Sequence, residues 1–320
     1  MKASIPFPWR FLMPDHTPAE LADALKDGLL SFPVTPFTKD LEVDEAALVD
    51  HLEWQSSFDV GGLFVAGGTG EGFSLSAEEH RLVTRTAVAT VRDGVPVLGS
   101  AGGNTSQAVA LARQAEEDGA AGLLLLPPYL TETTQEGLKA HVEAVLKATN
   151  IGVILYNRAN AIYSADTVAQ LAEAHPNLIG FKDGSANFEQ LARVRSANGD
   201  RLFYLGGLPT AETFALPLLQ VGMNTYSSAM FNFVPEFALE FYRNVRAYDY
   251  EAVQRKLTDF VLPYLDIRDY GKGYGVSIIK AGLRAVGRDA GPVRPPLRDL
   301  SDDEQQQLNT LVGTLTAAGV

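Results

Sequence analysis

The chain has 320 residues, of which 46% are apolar, with 39 acidic against 26 basic side chains and no cysteine. A formal charge of −13 is opposite to the basic footprint of a nucleic-acid-binding protein, and an acidic surface is repelled by anionic membranes. The lack of cysteine excludes disulfides, thiolate metal ligands and cysteine nucleophiles. The five histidines are scattered without metal-ligand spacing, and no apolar run reaches the ~18 residues of a membrane span. We therefore expect a soluble cytoplasmic protein with no metal and no nucleic-acid or membrane partner.

In chain order, the first predicted element is an irregular lead, residues 1–27, which contains one short helix at Pro18–Lys26. Eight short apolar runs follow, and helix-start signals lie between them, such as the capping-box spacing of Ser76 and Glu79. Continuous apolar runs are typical of parallel strands that are buried on both faces. The runs begin at Leu29, Gly62, Val95, Gly122, Gly152, Leu178, Leu202 and Asn224.

Eight strand–helix units predict an α/β protein whose residues 28–248 form a (β/α)8 TIM barrel. An open doubly wound sheet also fits the alternation, but eight strands at this spacing favour closure. After residue 248 no further strand is predicted, and residues 250–268, 275–286 and 301–318 have helical patterns. Residues 249–320 are therefore interpreted as a C-terminal helical extension that packs on the barrel.

The side chains that end the predicted strands are candidates for the active site, because barrel active sites lie at the C-terminal strand ends. Lys182 ends the sixth run, where burial would lower the pKa of its amine and make it a nucleophile for a ketone. The alternative is a buried ion pair of Lys182 with Asp183 or Glu71. Tyr156 ends the preceding run and is the candidate proton shuttle of such a Schiff-base site. The alternative for Tyr156 is a tyrosine that caps the core.

Two further features predict anion binding. The GGTGEG segment at 67–72 lacks the last glycine of a dinucleotide fingerprint and the Lys-Ser/Thr of a phosphate loop. Its backbone N–H groups and the Thr69 hydroxyl favour a carboxylate site at Gly68 and Thr69, although a tight turn with positive φ remains an alternative. Arg158 can bind a second carboxylate through two parallel hydrogen bonds, unless it is a plain surface arginine. Candidates for binding substrate hydroxyls at other strand ends are Ser185, Asn187, Ser227 and Ser228.

The segments GGTGE at 67–71, Tyr156-Asn157 and GFKDG around Lys182 resemble motifs of the dihydrodipicolinate synthase and N-acetylneuraminate lyase family. The resemblance covers about residues 27–315 and implies a Schiff-base (β/α)8 enzyme that acts on a 2-keto acid without a cofactor. It implies that Lys182 is the Schiff-base lysine, that Tyr156 shuttles protons and that the Gly68–Thr69 turn binds a carboxylate. It also implies a homo-oligomer, either a tetramer or a dimer.

Departures from the synthase pattern narrow the implied activity. Leu130 follows Tyr129 where the synthases have a second tyrosine, and Arg158 takes a place at which they have no arginine. These changes argue against dihydrodipicolinate synthesis. The chain resembles instead the branch of the family that converts 5-dehydro-4-deoxyglucarate, a keto-dicarboxylic acid, to 2,5-dioxopentanoate, water and carbon dioxide. The alternatives are an aldolase, lyase or synthase for another 2-keto acid, and a non-catalytic barrel that binds a sugar acid.

Overall fold

The computed structural model describes residues 16–129 and 132–317. Within these residues, eight parallel strands pair in chain order and the last pairs with the first, so that the sheet closes. The closed sheet confirms the predicted (β/α)8 barrel and rules out the open sheet. The strands are β1 (Leu30–Ser31), β2 (Gly62–Phe64), β3 (Val97–Gly103), β4 (Gly122–Pro128), β5 (Gly152–Asn157), β6 (Leu178–Asp183), β7 (Phe203–Gly206) and β8 (Thr225–Ser228).

Helices follow the strands, and most begin at a side chain that caps their first free N–H groups. Ser76 caps the helix after β2, and Glu79 closes the predicted capping box. The helices that precede or follow the eight strands are α1 (Pro18–Leu25), α2 (Glu45–Ser56), α3 (Ala77–Thr90), α4 (Thr105–Glu117), α5 (Gln135–Leu146), α6 (Ala165–Ala174), α7 (Phe188–Asn198), α8 (Ala215–Gln220) and α9 (Pro235–Arg246).

Helix α1 closes the N-terminal end of the barrel. Its buried Leu21 and Leu25 belong to the interior cluster that also contains strand residues such as Ile154 and Phe203. Gly122 and Gly152 leave room for Leu21, because a Cβ atom at either position would press on its side chain. The predicted lead thus contains a helix that is part of the barrel core, while residues 1–15 lie outside the described residues.

The C-terminal helices cover one side of the barrel. Helix α10 (Tyr250–Lys256), a π-helical turn (Leu257–Val261) and α11 (Leu262–Arg268) run continuously, and α12 (Tyr274–Ala285) and α13 (Asp302–Ala317) follow. Apolar residues of α12 join the largest core cluster. In the described part of the chain, no helix is both long and apolar enough to span a membrane.

The strand register determines which side chains meet inside the barrel. A register shift between Val153 and Ile154 pairs Tyr156 of β5 with Lys182 of β6, and Lys182 with Leu205 of β7. Successive side chains of a strand point to opposite faces of the sheet. Tyr156 and Lys182 therefore both point into the barrel, whereas the residues that follow each of them point toward the outer helices.

Candidate active site

Lys182 lies inside the mouth of the barrel and is almost fully buried, with 4% of its surface exposed. Its Nζ is 3.6 Å from the centre of the Phe32 ring and 4.6 Å from the centre of the Tyr156 ring. Burial, together with the nearby Arg158 guanidinium, holds the pKa of Lys182 well below its usual value. Within the described residues, Glu71 forms an ion pair with Lys280, and the Asp183 carboxylate accepts hydrogen bonds from Asn157 and Ser185. Neither carboxylate forms the ion pair with Lys182 that was the alternative.

Tyr156 is buried beside Lys182, and its hydroxyl is held by two groups. The Tyr156 hydroxyl donates a hydrogen bond of 2.7 Å to the carbonyl of Gly207 and accepts one of 3.1 Å from Nη1 of Arg158. Burial raises the pKa of Tyr156, and Arg158 opposes that shift. The phenol therefore keeps its proton at neutral pH and has a defined donor and acceptor. Lys182 faces the ring of Tyr156 in this arrangement, and the hydroxyl lies toward Gly207.

Gly207, directly after β7, brings Lys182 and Tyr156 together. A Cβ atom at Gly207 would overlap the aliphatic stem of Lys182. The same residue supplies the carbonyl for Tyr156, and its N–H donates a 2.7 Å hydrogen bond to the carbonyl of Asp183. Only glycine fits at this position without displacing the amine.

The glycine-rich segment 67–72 forms a turn after β2. In the described structure, the N–H groups of Gly68 and Thr69 donate to no protein acceptor, and Gly68 borders open space. Gly67 packs against the Phe32 ring, the same ring that lies under the Lys182 amine. Free N–H groups beside a buried amine can bind the carboxylate of a 2-keto acid whose ketone reaches Lys182.

Hydrogen bonds from the segment after β1 and within the turn itself fix its shape. The hydroxyl of Thr35 donates a 2.6 Å hydrogen bond to the carbonyl of Gly70, and the N–H of Gly72 donates one of 2.9 Å to Gly67. Glu71 adopts a left-handed conformation with φ of 54°, and its buried side chain points away toward the C-terminal extension. The alternative of a tight turn with positive φ is thus also present, at Glu71 and not at a glycine.

Arg158 lies at the exposed rim, two residues beyond Tyr156. Its Nη1 donates to the Tyr156 hydroxyl, and the remaining N–H groups of the guanidinium have no acceptor among the described residues. The guanidinium is therefore exposed but contacts the site, so Arg158 is not the plain surface arginine of the alternative. It lowers the pKa of Lys182 and can still bind an anion at the mouth.

Ser185 and Asn187 already have protein partners. The Ser185 hydroxyl donates a 2.7 Å hydrogen bond to Asp183 and accepts one of 3.2 Å from the N–H of Asn187. Asn187 caps α7, where its side-chain oxygen accepts from the N–H of Gln190. The geometry gives both side chains a role in the loop after β6, and their contacts with a substrate stay a prediction.

The two serines of β8 point to opposite faces. Ser228 is buried toward the helices and donates a hydrogen bond to Glu212. Tyr226 packs in the outer core cluster, so alternation directs Ser227 into the barrel, next to Leu30 of β1. The structure therefore brings Ser227 to the interior of the barrel and places Ser228 outside it.

Several residues of the site were not singled out in the sequence. Phe32 and Gly207 contact Lys182, and Asn232 accepts from the N–H of Val34 and donates to the carbonyl of Phe32. Alternation along the strands, applied to each run, is the signal that would have found Gly207 and separated the serines. Nothing in the sequence distinguishes Phe32 from other buried aromatic residues.

Among the residues described, no group of three or more His, Asp or Glu side chains converges as in a metal site. The arrangement instead combines a buried amine, a protonated phenol, free backbone N–H groups and a guanidinium around one cavity mouth. These groups can form an iminium with a ketone and hold carboxylates on two sides of it.

Comparison with known proteins adds three findings. The sequence model of the Dihydrodipicolinate synthetase family matches residues 25–315. A Corynebacterium glutamicum protein named "Probable 5-dehydro-4-deoxyglucarate dehydratase" is 65% identical over 302 residues, which are 94% of this chain and 96% of that protein. The crystal structure of dihydrodipicolinate synthase from Bacillus clausii is similar, with a TM-score of 0.82 at 27% identity over 92% of this chain and 99% of that one.

A second solved structure is a prophage protein of the dihydrodipicolinic acid synthase family from E. coli K12 in complex with pyruvate. Its TM-score is 0.80 at 26% identity, and the match covers 90% of this chain and 98% of that one. These similarities extend over the barrel and the C-terminal helices together, since they cover nine-tenths or more of the chain.

Proposed function

Because this chain belongs to the dihydrodipicolinate synthetase family, as its motifs predicted, we propose that it is a Schiff-base lyase for 5-dehydro-4-deoxyglucarate. The reaction removes water and carbon dioxide and yields 2,5-dioxopentanoate. The names of relatives such as the C. glutamicum protein agree with the activity that the sequence resemblance implied. Pyruvate in the E. coli relative is the smallest 2-keto acid, and it serves below as a probe of the same amine.

One observation carries the proposal: the buried Lys182 amine, whose pKa is held well below its usual value, lies between two groups that can bind carboxylates. The free N–H groups of Gly68 and Thr69 are on the Phe32 side of the amine, and Arg158 is on the Tyr156 side. A keto-dicarboxylic acid needs both, one for the carboxylate next to the ketone and one for the remote carboxylate. A simple aldolase substrate with one carboxylate would need only the first.

The first step is attack of Lys182 on the ketone. The low pKa of Lys182 supplies a free amine, and Tyr156 can donate its phenolic proton to the carbinolamine oxygen, which leaves as water. Arg158 stabilises the resulting phenolate, because its Nη1 already donates to that oxygen. Tyr156 then has the basicity to accept a proton in the next step.

The iminium makes the neighbouring methylene acidic, and loss of its proton gives an enamine. The enamine expels the β-hydroxyl as water, which leaves an iminium conjugated to a carbon–carbon double bond. The bond to the remote carboxylate can then break, since its electron pair flows into the conjugated iminium and carbon dioxide leaves. Tautomerisation and hydrolysis release 2,5-dioxopentanoate and return the amine of Lys182.

In this scheme Gly68 and Thr69 bind the carboxylate beside the ketone, Arg158 binds the remote one, and Ser227 is the candidate for a substrate hydroxyl. Ser185, Asn187 and Ser228 support the loops around the site through the bonds described above. We further propose that the enzyme works without a cofactor, in the cytoplasm, as a homo-oligomer.

The direct test is turnover of 5-dehydro-4-deoxyglucarate by the purified protein. We expect carbon dioxide and 2,5-dioxopentanoate in equal amounts from the native chain and neither product from Lys182→Met. An aldolase would instead release pyruvate without carbon dioxide, and a binding protein would take up the substrate unchanged. Either of those results would contradict the proposed function.

A further inference from the structure

A buried ion pair lies behind the glycine turn. Glu71 directly follows the turn, and its carboxylate is 2.8 Å from Nζ of Lys280 on α12, with both side chains fully buried. The other carboxylate oxygen accepts a 2.9 Å hydrogen bond from the N–H of Arg294. Nζ of Lys280 also donates to the carbonyl of Pro292 at 2.8 Å and lies 4.2 Å from the centre of the Phe37 ring. Both residues that contact the Glu71 carboxylate, Lys280 and Arg294, thus belong to the C-terminal extension.

Glu71 belongs to a turn that is suited to bind an anion, and its carboxylate lies on the side of that turn that faces the C-terminal extension. Its backbone N–H donates a 3.2 Å hydrogen bond to the carbonyl of Gly68, so its backbone is tied directly to the segment whose N–H groups are proposed to hold the substrate carboxylate. Charges interact strongly across a buried region because its effective dielectric constant is low. An unpaired Glu71 carboxylate would therefore repel the carboxylate of a 2-keto acid, whereas the pair with Lys280 is neutral as a unit.

We propose that Lys280 is a positioning residue that neutralises Glu71 and thereby allows the Gly68–Thr69 turn to bind the carboxylate of the substrate. Lys280 does not touch the substrate and acts only through Glu71. This role rests on the proposed function, because it concerns the same carboxylate site. It gives the C-terminal extension a part in substrate affinity in addition to its packing on the barrel.

The test compares a charged and an uncharged ketone in the variants Lys280→Met, Glu71→Gln and their combination. For each, the concentration of pyruvate or hydroxyacetone that half-saturates borohydride trapping on Lys182 is measured. We expect Lys280→Met to raise the half-saturating pyruvate concentration about tenfold, while the value for hydroxyacetone stays nearly constant. Glu71→Gln should bind pyruvate at least as well as the native chain, and the combined variant should regain native affinity.

A matched control is Lys256→Met in α10. Lys256 is 2.9 Å from Glu240 and lies 5.3 Å from the centre of the Phe237 ring, so it has a carboxylate and an aromatic ring as partners, as Lys280 does. Its ion pair is partly exposed, and it does not contact the turn. This variant should leave both half-saturation values unchanged.

A purely structural role predicts a different pattern, in which pyruvate and hydroxyacetone are affected alike and both single variants are impaired. That pattern would overturn the inference. Weaker pyruvate binding by Glu71→Gln than by the native chain would overturn it as well. This second comparison also tests the inference if Lys280→Met does not fold. If the native chain gave no adduct with either ketone, the proposed function would fail and this inference with it.

Discussion

At the residue scale, burial of Lys182 lowers the pKa of its amine and should reduce the stability of the chain near neutral pH. Because burial lowers its pKa, the unfolded chain binds one proton more than the folded chain between that pKa and ~10.4. The free energy of unfolding therefore rises with pH over this range. Lys182→Met, which has similar volume and no charge, should raise the Tm near pH 7, and the gain should shrink toward about pH 10.

Thermal unfolding followed by circular dichroism at both pH values checks this prediction. The control is Lys280→Met, which removes the counter-ion of a buried carboxylate and should lower the Tm at pH 7, by the equivalent of about 3–5 kcal/mol. A gain for Lys182→Met that is the same at both pH values would mean that Lys182 is charged in the folded protein.

Arg158 should affect the keto-dicarboxylate more than pyruvate. Loss of a charge-assisted, two-point contact in Arg158→Ala should lower kcat/KM for 5-dehydro-4-deoxyglucarate by roughly 10- to 100-fold. Pyruvate lacks the remote carboxylate, but its trapping should slow by a few-fold, since Arg158 also lowers the pKa of Lys182 and donates to Tyr156.

Arg158→Lys separates these two effects. A lysine restores the positive charge near Lys182 but cannot form two parallel hydrogen bonds with a carboxylate. It should therefore recover pyruvate trapping and little of the dicarboxylate turnover. An equal loss for both substrates in Arg158→Ala would show that Arg158 maintains the site and does not select the dicarboxylate.

At the scale of elements, the end of β7 packs closely against the reactive lysine. Gly207→Ala places a methyl group in the stem of Lys182, which is already enclosed by Phe32 and Tyr156, so the rate of pyruvate trapping should fall by about tenfold or more. Gly275→Ala on α12 is the matched control, because its new methyl group would meet no neighbour within 4 Å. Trapping kinetics of the two variants check this, and a native rate in Gly207→Ala would contradict the assigned contact.

The strand ends and their order were predictable from the sequence, because parallel strands are continuous apolar runs and their last residues share one face. The side-chain directions within each end were harder to predict. Ser227 and Ser228 look equivalent as a pair, yet only the pleat decides that one enters the barrel and the other bonds to Glu212. The register shift between β5 and β6, which pairs Tyr156 with Lys182, has no signature in the sequence.

Contacts between residues far apart in the chain could not be predicted from the sequence either. The partner of Glu71 is Lys280, more than two hundred positions away, whereas the sequence offered Lys182 as its alternative partner. Helix α1 could be predicted as a helix, but its role in closing the barrel depends on the space that Gly122 and Gly152 leave for Leu21. Contacts of this kind follow from the packing of the whole fold.

For the whole molecule, we predict a homo-oligomer that is assembled through the loops at the strand ends. Tyr129 after β4 is 90% exposed and Phe73 after β2 is 60% exposed, and both lie on the face of the barrel that carries the site. Light scattering at micromolar concentration should give a dimer or tetramer. Tyr129→Asp should weaken the assembly, whereas Tyr250→Asp in α10, also on an exposed tyrosine, should not. A monomeric native chain would refute the prediction.

The most direct test of the whole account is the location of the covalent adduct. The native chain is incubated with pyruvate or with 5-dehydro-4-deoxyglucarate, reduced with borohydride, digested and analysed by mass spectrometry. A Schiff-base mechanism at the mouth of the barrel predicts a single adduct, on the peptide that contains Lys182, and none in Lys182→Met. An adduct on Lys272 or Lys280, or turnover of the substrate by Lys182→Met, would contradict it.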